Sequence, residues 1–441
     1  MTHNFDSILK SHYDDLKDLI QPNRLQDLLF ALTDIHSPTG SAATACQFLV
    51  NHLQGYGIDA QFMPFSGDSG AGLATLPGDD SGANLLLYAP IDTHLEGDDS
   101  DYPWTGRGPT VDTQPRAVRE GDWVYGLGSS NPKAMVATLA EIMICAKESG
   151  IRWPGTLTFG FADGGMPVDI SARHGAGMSN GIFHLLNRGA LPDFCIVMKP
   201  WNWVYHEEPG MAWFKITVWG TLGYAGVPRG TPGFRSSIVP AAQLILDLEE
   251  WLPAYTERHT SGDIRPDGWI SAVRAGWPER PAFPSAATEI YFDVRVNPRC
   301  SPAQVRAEFA EFINTMRANR PELECEWQMY GSVPGGSTDV GNWIIQSARR
   351  GWEEVEKTPY PAQSELLGGQ TDGSLLRALG IPTARMGWPW PAEGSPLPVT
   401  EGLGGMGATY IPDLIPCAEK ILFAVVDTCA RDRGTVMSVE T

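Results

Sequence analysis

Apolar residues change their spacing twice along the chain, and each change marks a boundary. In the first fifty or so residues they recur at helical intervals: Phe5, Ile8 and Leu9, then Leu16, Leu19 and Ile20, then Leu25, Leu28 and Leu29 after Pro22. Ser37-Pro38-Thr39-Gly40 predicts a turn, and helical spacing resumes over residues 43–53 until Gly57. Short strands are predicted at 60–63, 73–76 and 85–88; the last run is wholly apolar, as expected of a strand covered on both faces. A polar loop over 92–121 leads to a helix predicted at 132–146, with Pro132 at its first turn. Further buried strands are predicted at 155–161 and 194–198, with a helix around 182–186 between them. Helices alternating with apolar strands predict an α/β sheet layered by helices.

From Met211 the period becomes two. Trp213, Lys215, Thr217 and Trp219 fall on one side and Phe214, Ile216 and Val218 on the other, the pattern of a half-exposed antiparallel strand. A helix over 236–252, strands at 270–273 and 288–296, a helix over 302–317 and a strand at 323–330 complete a strand–helix–strand–strand–helix–strand unit. Helical and α/β character then returns through 343–352, 374–379, 383–386 and 415–429. The expected organisation is a bipartite α/β domain, 1–210 with 332–441, interrupted by an α+β, ferredoxin-like domain over 211–331.

The length of 441 residues suits two or three domains. Acidic residues outnumber basic ones 52 to 32, and a net charge of −20 excludes nucleic acid and anionic membrane as partners. No apolar run approaches the length of a membrane span, and the N-terminal residues lack the form of a signal peptide, so the cytoplasm is the expected location. Seven scattered cysteines with no Cys-x-x-Cys pair suit a reducing compartment rather than a disulfide framework. Nine histidines are present, yet none follows His259.

Five landmarks occur in a definite order: Ser37-Pro38-Thr39-Gly40 with its helix; Tyr125-Gly126-Leu127-Gly128-Ser129-Ser130-Asn131-Pro132-Lys133; Phe292-Asp293-Val294-Arg295 with Pro298; Gly368-Gly369-Gln370-Thr371-Asp372; and Gly380-Ile381-Pro382. In that order they resemble the di-zinc metallopeptidase and amidohydrolase family of aminoacylase, carboxypeptidase G, acetylornithine deacetylase and succinyl-diaminopimelate desuccinylase. The resemblance implies a zinc-exopeptidase-like three-layer catalytic-type domain, an inserted lid that dimerises, and hydrolysis of amide or peptide bonds.

It also implies two zinc ions, and the positions that would hold them are occupied by other residues. The first ligand histidine falls on Pro90, two residues before Asp92, and the bridging aspartate falls on Asn131. The base and its neighbouring carboxylate fall on Gly164-Gly165 after Asp163, a further carboxylate on Lys199, and the lid histidine on Tyr224. The last ligand histidine has no counterpart, since the expected stretch reads Gly402-Leu-Gly-Gly-Met-Gly-Ala408. No metal and no cofactor is therefore expected.

The remaining polar residues define the candidate site. Asp92, Asp163, Lys199 and Tyr224 form the expected catalytic set: an ammonium where a dication would stand, and a phenol able to donate to an oxyanion. The bland counterpart is a salt bridge filling a disused cleft. His94, Asn131, Lys133, Arg295, Asp372, Trp388 and Trp390 form the expected substrate-binding set, with the tryptophans either stacking on a ligand or packing. His206-Glu207-Glu208 reads as a solvated hinge. The expected function is a metal-independent enzyme acting on a small amide or amino-acid-like substrate, homodimeric through its lid. The alternatives are a catalytically inactive relative that binds a small ligand or a partner protein, and a hydrolase with relocated metal ligands.

Overall fold

The computed structural model describes residues 7–65, 67–106, 110–173, 175–228, 230–362, 369–390, 392–400 and 406–437. Gly368 and most of the glycine-rich stretch starting at Gly402 lie outside the described residues. In chain order the strands of the two larger sheets are β1 (Asp59–Pro64), β2 (Gly70–Leu76), β3 (Leu85–Pro90), β4 (Leu157–Ala162), β5 (Phe194–Met198) and β6 (Val204–Tyr205). Then come β7 (Gly210–Trp219), β8 (Gly268–Ala275), β9 (Ala287–Val296), β10 (Cys325–Val333) and finally β11 (Thr383–Met386). The chain divides into two compact units: Met1–His206 with Thr338–Ser364 and Leu379–Thr441, and Glu207–Ser337 with Glu365–Ala378.

The first unit is built on a seven-stranded sheet in the order β1-β2-β4-β3-β5-β11-β6. β4, β3, β5 and β11 run parallel, while β1, β2 and β6 are joined antiparallel at the margins. Every residue of β3 and β5 is buried, as their unbroken apolar runs require. Leu85, Leu87 and Ala89 face a core shared with helices Met135–Glu148 and Ile411–Cys429. On the opposite face Gly160 of β4 lies against Leu185 of helix Asn180–Asn187. Helices therefore cover both faces, giving an α/β fold of three layers.

One predicted element starts later than its pattern suggests. Residues 129–134 form a wide irregular turn in which Asn131 has φ −123° and ψ 107°, and the α-helix begins at Met135 rather than at Pro132.

The second unit has a four-stranded antiparallel sheet, β8-β9-β7-β10. Phe214, Ile216 and Val218 pack with Ile290, Phe292 and Val294 against Leu244, Leu248, Val305 and Phe309 of helices Ile238–His259 and Pro302–Asn319. The alternation in β9 is strict, each buried residue being followed by a half-exposed one. Helix Ile238–His259 runs beyond the expected end at 252 and carries the exposed Pro253 within it. The segment holding Asp372 clusters with this second unit, whereas the sequence pattern groups all of 332–441 with the first.

Candidate functional site

In the first unit the chain leaves β3, crosses to β4 on one side, and then passes to β5 on the other. Ligands of open α/β sheets bind outside the carboxyl ends of the strands at such a reversal. Asp92 and His94 follow β3, Asp163 follows β4, Lys199 follows β5 and Trp388 follows β11.

Asp92 is fully buried. Its Oδ2 accepts from the Thr39 hydroxyl at 2.6 Å and from Met166 N–H at 3.2 Å, and its Oδ1 accepts from Gly165 N–H at 3.0 Å. Asp163, equally buried, accepts from Gly40 N–H at 2.9 Å, Ala42 N–H at 3.0 Å and the Ser69 hydroxyl at 2.6 Å. The turn holding Thr39 and Gly40 is pinned in turn by Thr39 N–H to Thr93 O and Thr93 N–H to Ser37 O. Burial holds both carboxyls above the ordinary carboxylate range, and for Asp92 the neighbouring charge of Asp163 adds to it; the hydrogen bonds oppose the shift. Each acid thus has most of its acceptor capacity committed to ordering three loops.

His94 differs. It is half-buried, its ring meets Trp104 edge-on with centroids 5.0 Å apart, and its two ring nitrogens are sealed from solvent with no hydrogen-bond partner among the described residues. Burial pushes the imidazole down to about 4, Asp101 opposes the shift and Lys199 reinforces it, so His94 is neutral at pH 7. The Asn131 Oδ1 and Ser130 Oγ are likewise buried and unbonded among the described residues. Gly128 brings that loop onto β3's exit: its φ is +75°, and a Cβ there would stand 2.5 Å from Thr93 Cγ2. Lys199 is buried, and its backbone N–H donates to Met386 O at 2.9 Å. Only glycine fits at 387, where a Cβ would lie 1.8 Å from Lys199 O.

Lys133 is buried, donates to Ile35 O at 2.6 Å, and is pushed down to about 7 by that burial against the opposing charge of Asp34. Trp388 is a core residue at 2% exposure, so it packs rather than lining a mouth. Trp390 is half-buried and meets Trp201 edge-on at 5.1 Å. Three expected site residues belong to the second unit. Tyr224 is exposed beside Phe283, Arg295 Nε pairs with Asp293 at 3.0 Å, and Asp372 is buried at the start of helix Asp372–Ala378. The first unit thus assembles Asp92, Asp163, His94, Asn131 and Lys199 around one strand edge. Sequence reasoning missed Ser69 and the donating N–H groups altogether; Thr39 was visible only as part of a turn.

Among the described residues, the groups of three His, Cys, Asp or Glu side chains within ligating distance are His259 with Cys300 and Glu308, and His206 with Glu207 and Asp263, and neither includes Asp92, Asp163 or His94. No protein-family model matches the chain. Its structure superposes on solved peptidases and amidases over nearly the whole length. Human carnosine dipeptidase 1 matches with TM-score 0.69 at 12% identity, covering 96% of this chain and 98% of that one. A tripeptidase from Staphylococcus aureus matches with TM-score 0.65 at 17% identity, covering 93% and 99%. A hydantoinase/carbamoylase family amidase from Burkholderia multivorans matches with TM-score 0.61 at 12% identity, covering 94% and 99%. The chain has their fold. At these identities the likeness concerns architecture, and the chemistry rests on the residues above. No helix among the described residues is long and apolar enough to cross a membrane.

Proposed function

We propose that the first unit hydrolyses the amide bond of a small, amino-acid-like substrate at the carboxyl ends of β3, β4 and β5 without a paired zinc centre. The observation that carries this reading is His94: a half-buried, neutral imidazole whose two nitrogens are sealed from solvent and unbonded among the described residues, with the Lys199 cation acting on it. An unsatisfied buried polar group costs about 1–3 kcal/mol, so a site that leaves several together has a use for them. His94 takes the proton of an attacking water as its oxygen bonds to the carbonyl carbon, and that proton passes to the leaving amine as the C–N bond breaks. Lys199 supplies the positive charge for the substrate carboxylate or the developing oxyanion, and Asn131 orients the amide. The donor set supports the metal-free form, because Pro90, Asn131, Gly164, Gly165 and Lys199 stand at the ligand positions implied by the family resemblance and the two nearby acids are engaged by N–H and O–H donors. Two zinc ions do not fit that set.

A second reading, a catalytically inactive protein that binds the same class of ligand, is favoured by the saturation of Asp92 and Asp163, which orders the loops without leaving an acid poised to act. The second unit is proposed as the dimerisation element, since edge strand β8 exposes Trp269 at 72% and Val273 at 50%. A panel of N-acyl amino acids and dipeptides, assayed before and after chelation, tests the function. Chelator-resistant turnover abolished by His94→Gln supports hydrolysis; saturable binding with no turnover supports the second reading.

A further inference from the structure

Three side chains of the second unit converge although no sequence motif joins them. His259 ends helix Ile238–His259, Cys300 stands just before Ser301, the N-cap of helix Pro302–Asn319, and Glu308 lies within that helix. One ligand atom from each, an imidazole nitrogen, a thiol sulfur and a carboxylate oxygen, lies within 4.8 Å of the other two. His259 Nε2 and Glu308 Oε1 are 2.8 Å apart. None of the three is sealed: the His259 and Glu308 side chains are 15% and 29% exposed, and Cys300 is half-buried.

We propose that His259, Cys300 and Glu308 form a mononuclear site for a zinc-class divalent cation, with solvent water as the fourth ligand. The donors are the nitrogen, sulfur and oxygen set that a borderline-soft cation prefers, and a thiolate with a carboxylate balances its charge. Ligand bonds of about 2.0–2.3 Å place tetrahedral donors roughly 3.3–3.8 Å apart, so side-chain rotation of about an ångström closes the observed cluster on a cation. Neighbouring groups hold each ligand in place. The Tyr255 ring lies 4.5 Å from that of His259 and its hydroxyl donates to Arg295 O at 2.7 Å. Asn297 Nδ2 donates to His259 O at 2.8 Å, and Cys300 N–H donates to Asn297 O at 2.9 Å, tying the end of one helix to the start of the next. Arg258 pairs with Glu308 Oε2 at 3.1 Å, leaving Oε1 as the ligand. Metal binding forms a sulfur–metal bond and releases the thiol proton to water. This site is independent of the cleft chemistry proposed for the first unit.

The test uses the full chain, stripped by chelator and titrated with cobalt(II), which reports sulfur ligation through a thiolate-to-metal charge-transfer band. Wild type is expected to develop the band to one equivalent and to lose it when zinc displaces cobalt. Cys300→Ser should abolish the band, and Glu308→Gln, which preserves shape, should weaken zinc by at least about tenfold. The proposal is overturned by a titration without the band, by a band that survives Cys300→Ser, or by zinc affinity in both variants within about twofold of wild type. Far-ultraviolet circular dichroism of the variants confirms that the readout concerns a folded chain.

Discussion

The Thr39 hydroxyl donates to Asp92 Oδ2 at 2.6 Å, while the next residue, Gly40, donates its N–H to Asp163 at 2.9 Å. A single turn therefore staples the loops leaving β3 and β4, two elements far from it in sequence. Removing either acid orphans several buried donors at once. Asp163→Ala is expected to destabilise the first unit by roughly 3 kcal/mol or more, read as a lowered denaturant midpoint. Thr39→Val, which removes one donor and keeps the volume, should cost about 1 kcal/mol.

Lys133 gives the stability a specific pH dependence. Its folded value lies near 7, below that of an unfolded lysine, so between these values the unfolded chain binds more protons than the native one. Stability contributed at this site therefore rises with pH from about 7 toward 10, by at most about 1.4 kcal/mol per pH unit. Lys133→Met is expected to flatten that rise in urea unfolding measured at pH 7, 8 and 9. A slope identical to wild type would contradict the assignment.

In the second unit, Glu208 and Arg377 form an ion pair in which both side chains are fully buried, with Thr371 donating to the second Glu208 oxygen at 2.7 Å. Breaking such a pair on one side leaves an uncompensated charge and costs about 3–5 kcal/mol. Arg377→Met alone should be severely destabilised, and Glu208→Gln with Arg377→Met should recover much of the loss. A double-mutant cycle in denaturant measures the difference.

Edge strand β8 tests the proposed dimer. Trp269 and Val273 are large, exposed and on an unpaired edge. Light scattering should give twice the chain mass for wild type, and Trp269→Lys with Val273→Lys should give a monomer with its thermal midpoint little changed. A wild-type monomer at micromolar concentration would remove this element of the account.

The architecture was legible where one period governed a long stretch. β9 alternates along its whole length because one face meets the helices and the other is half-exposed. β3 is recognisable because both its faces are covered. The helix after Asn131 was placed early because the non-helical backbone at Asn131 leaves no mark in the pattern of apolar positions. The helix expected over 236–252 instead carries Pro253 at an exposed position and continues to His259. At the site, the sequence identified which acids gather beyond β3 and β4 but not their state, because their partners are largely main-chain N–H groups. The isolation of His94 was also hidden: it depends on its ring nitrogens being sealed from solvent, with Trp104 against the ring, in a polar loop without periodicity.

As the proposed base, His94 also predicts a pH profile. A general base pushed down to about 4 keeps kcat/KM flat from pH 8 to about 5, with activity lost only as pH falls through about 4. A limb near the ordinary histidine value of about 6.5 would point to a different base.

The central claim, amide hydrolysis at His94 without a paired zinc centre, is tested most directly by one comparison in the Cys300→Ser background, which removes the metal site proposed in the second unit. Chelated protein is assayed on N-acyl amino acids and dipeptides beside its His94→Gln counterpart, with metal content measured in both. The account predicts metal-free turnover that falls about 100-fold or more with His94→Gln. Turnover that disappears on chelation, returns with stoichiometric zinc and is indifferent to His94 would contradict it.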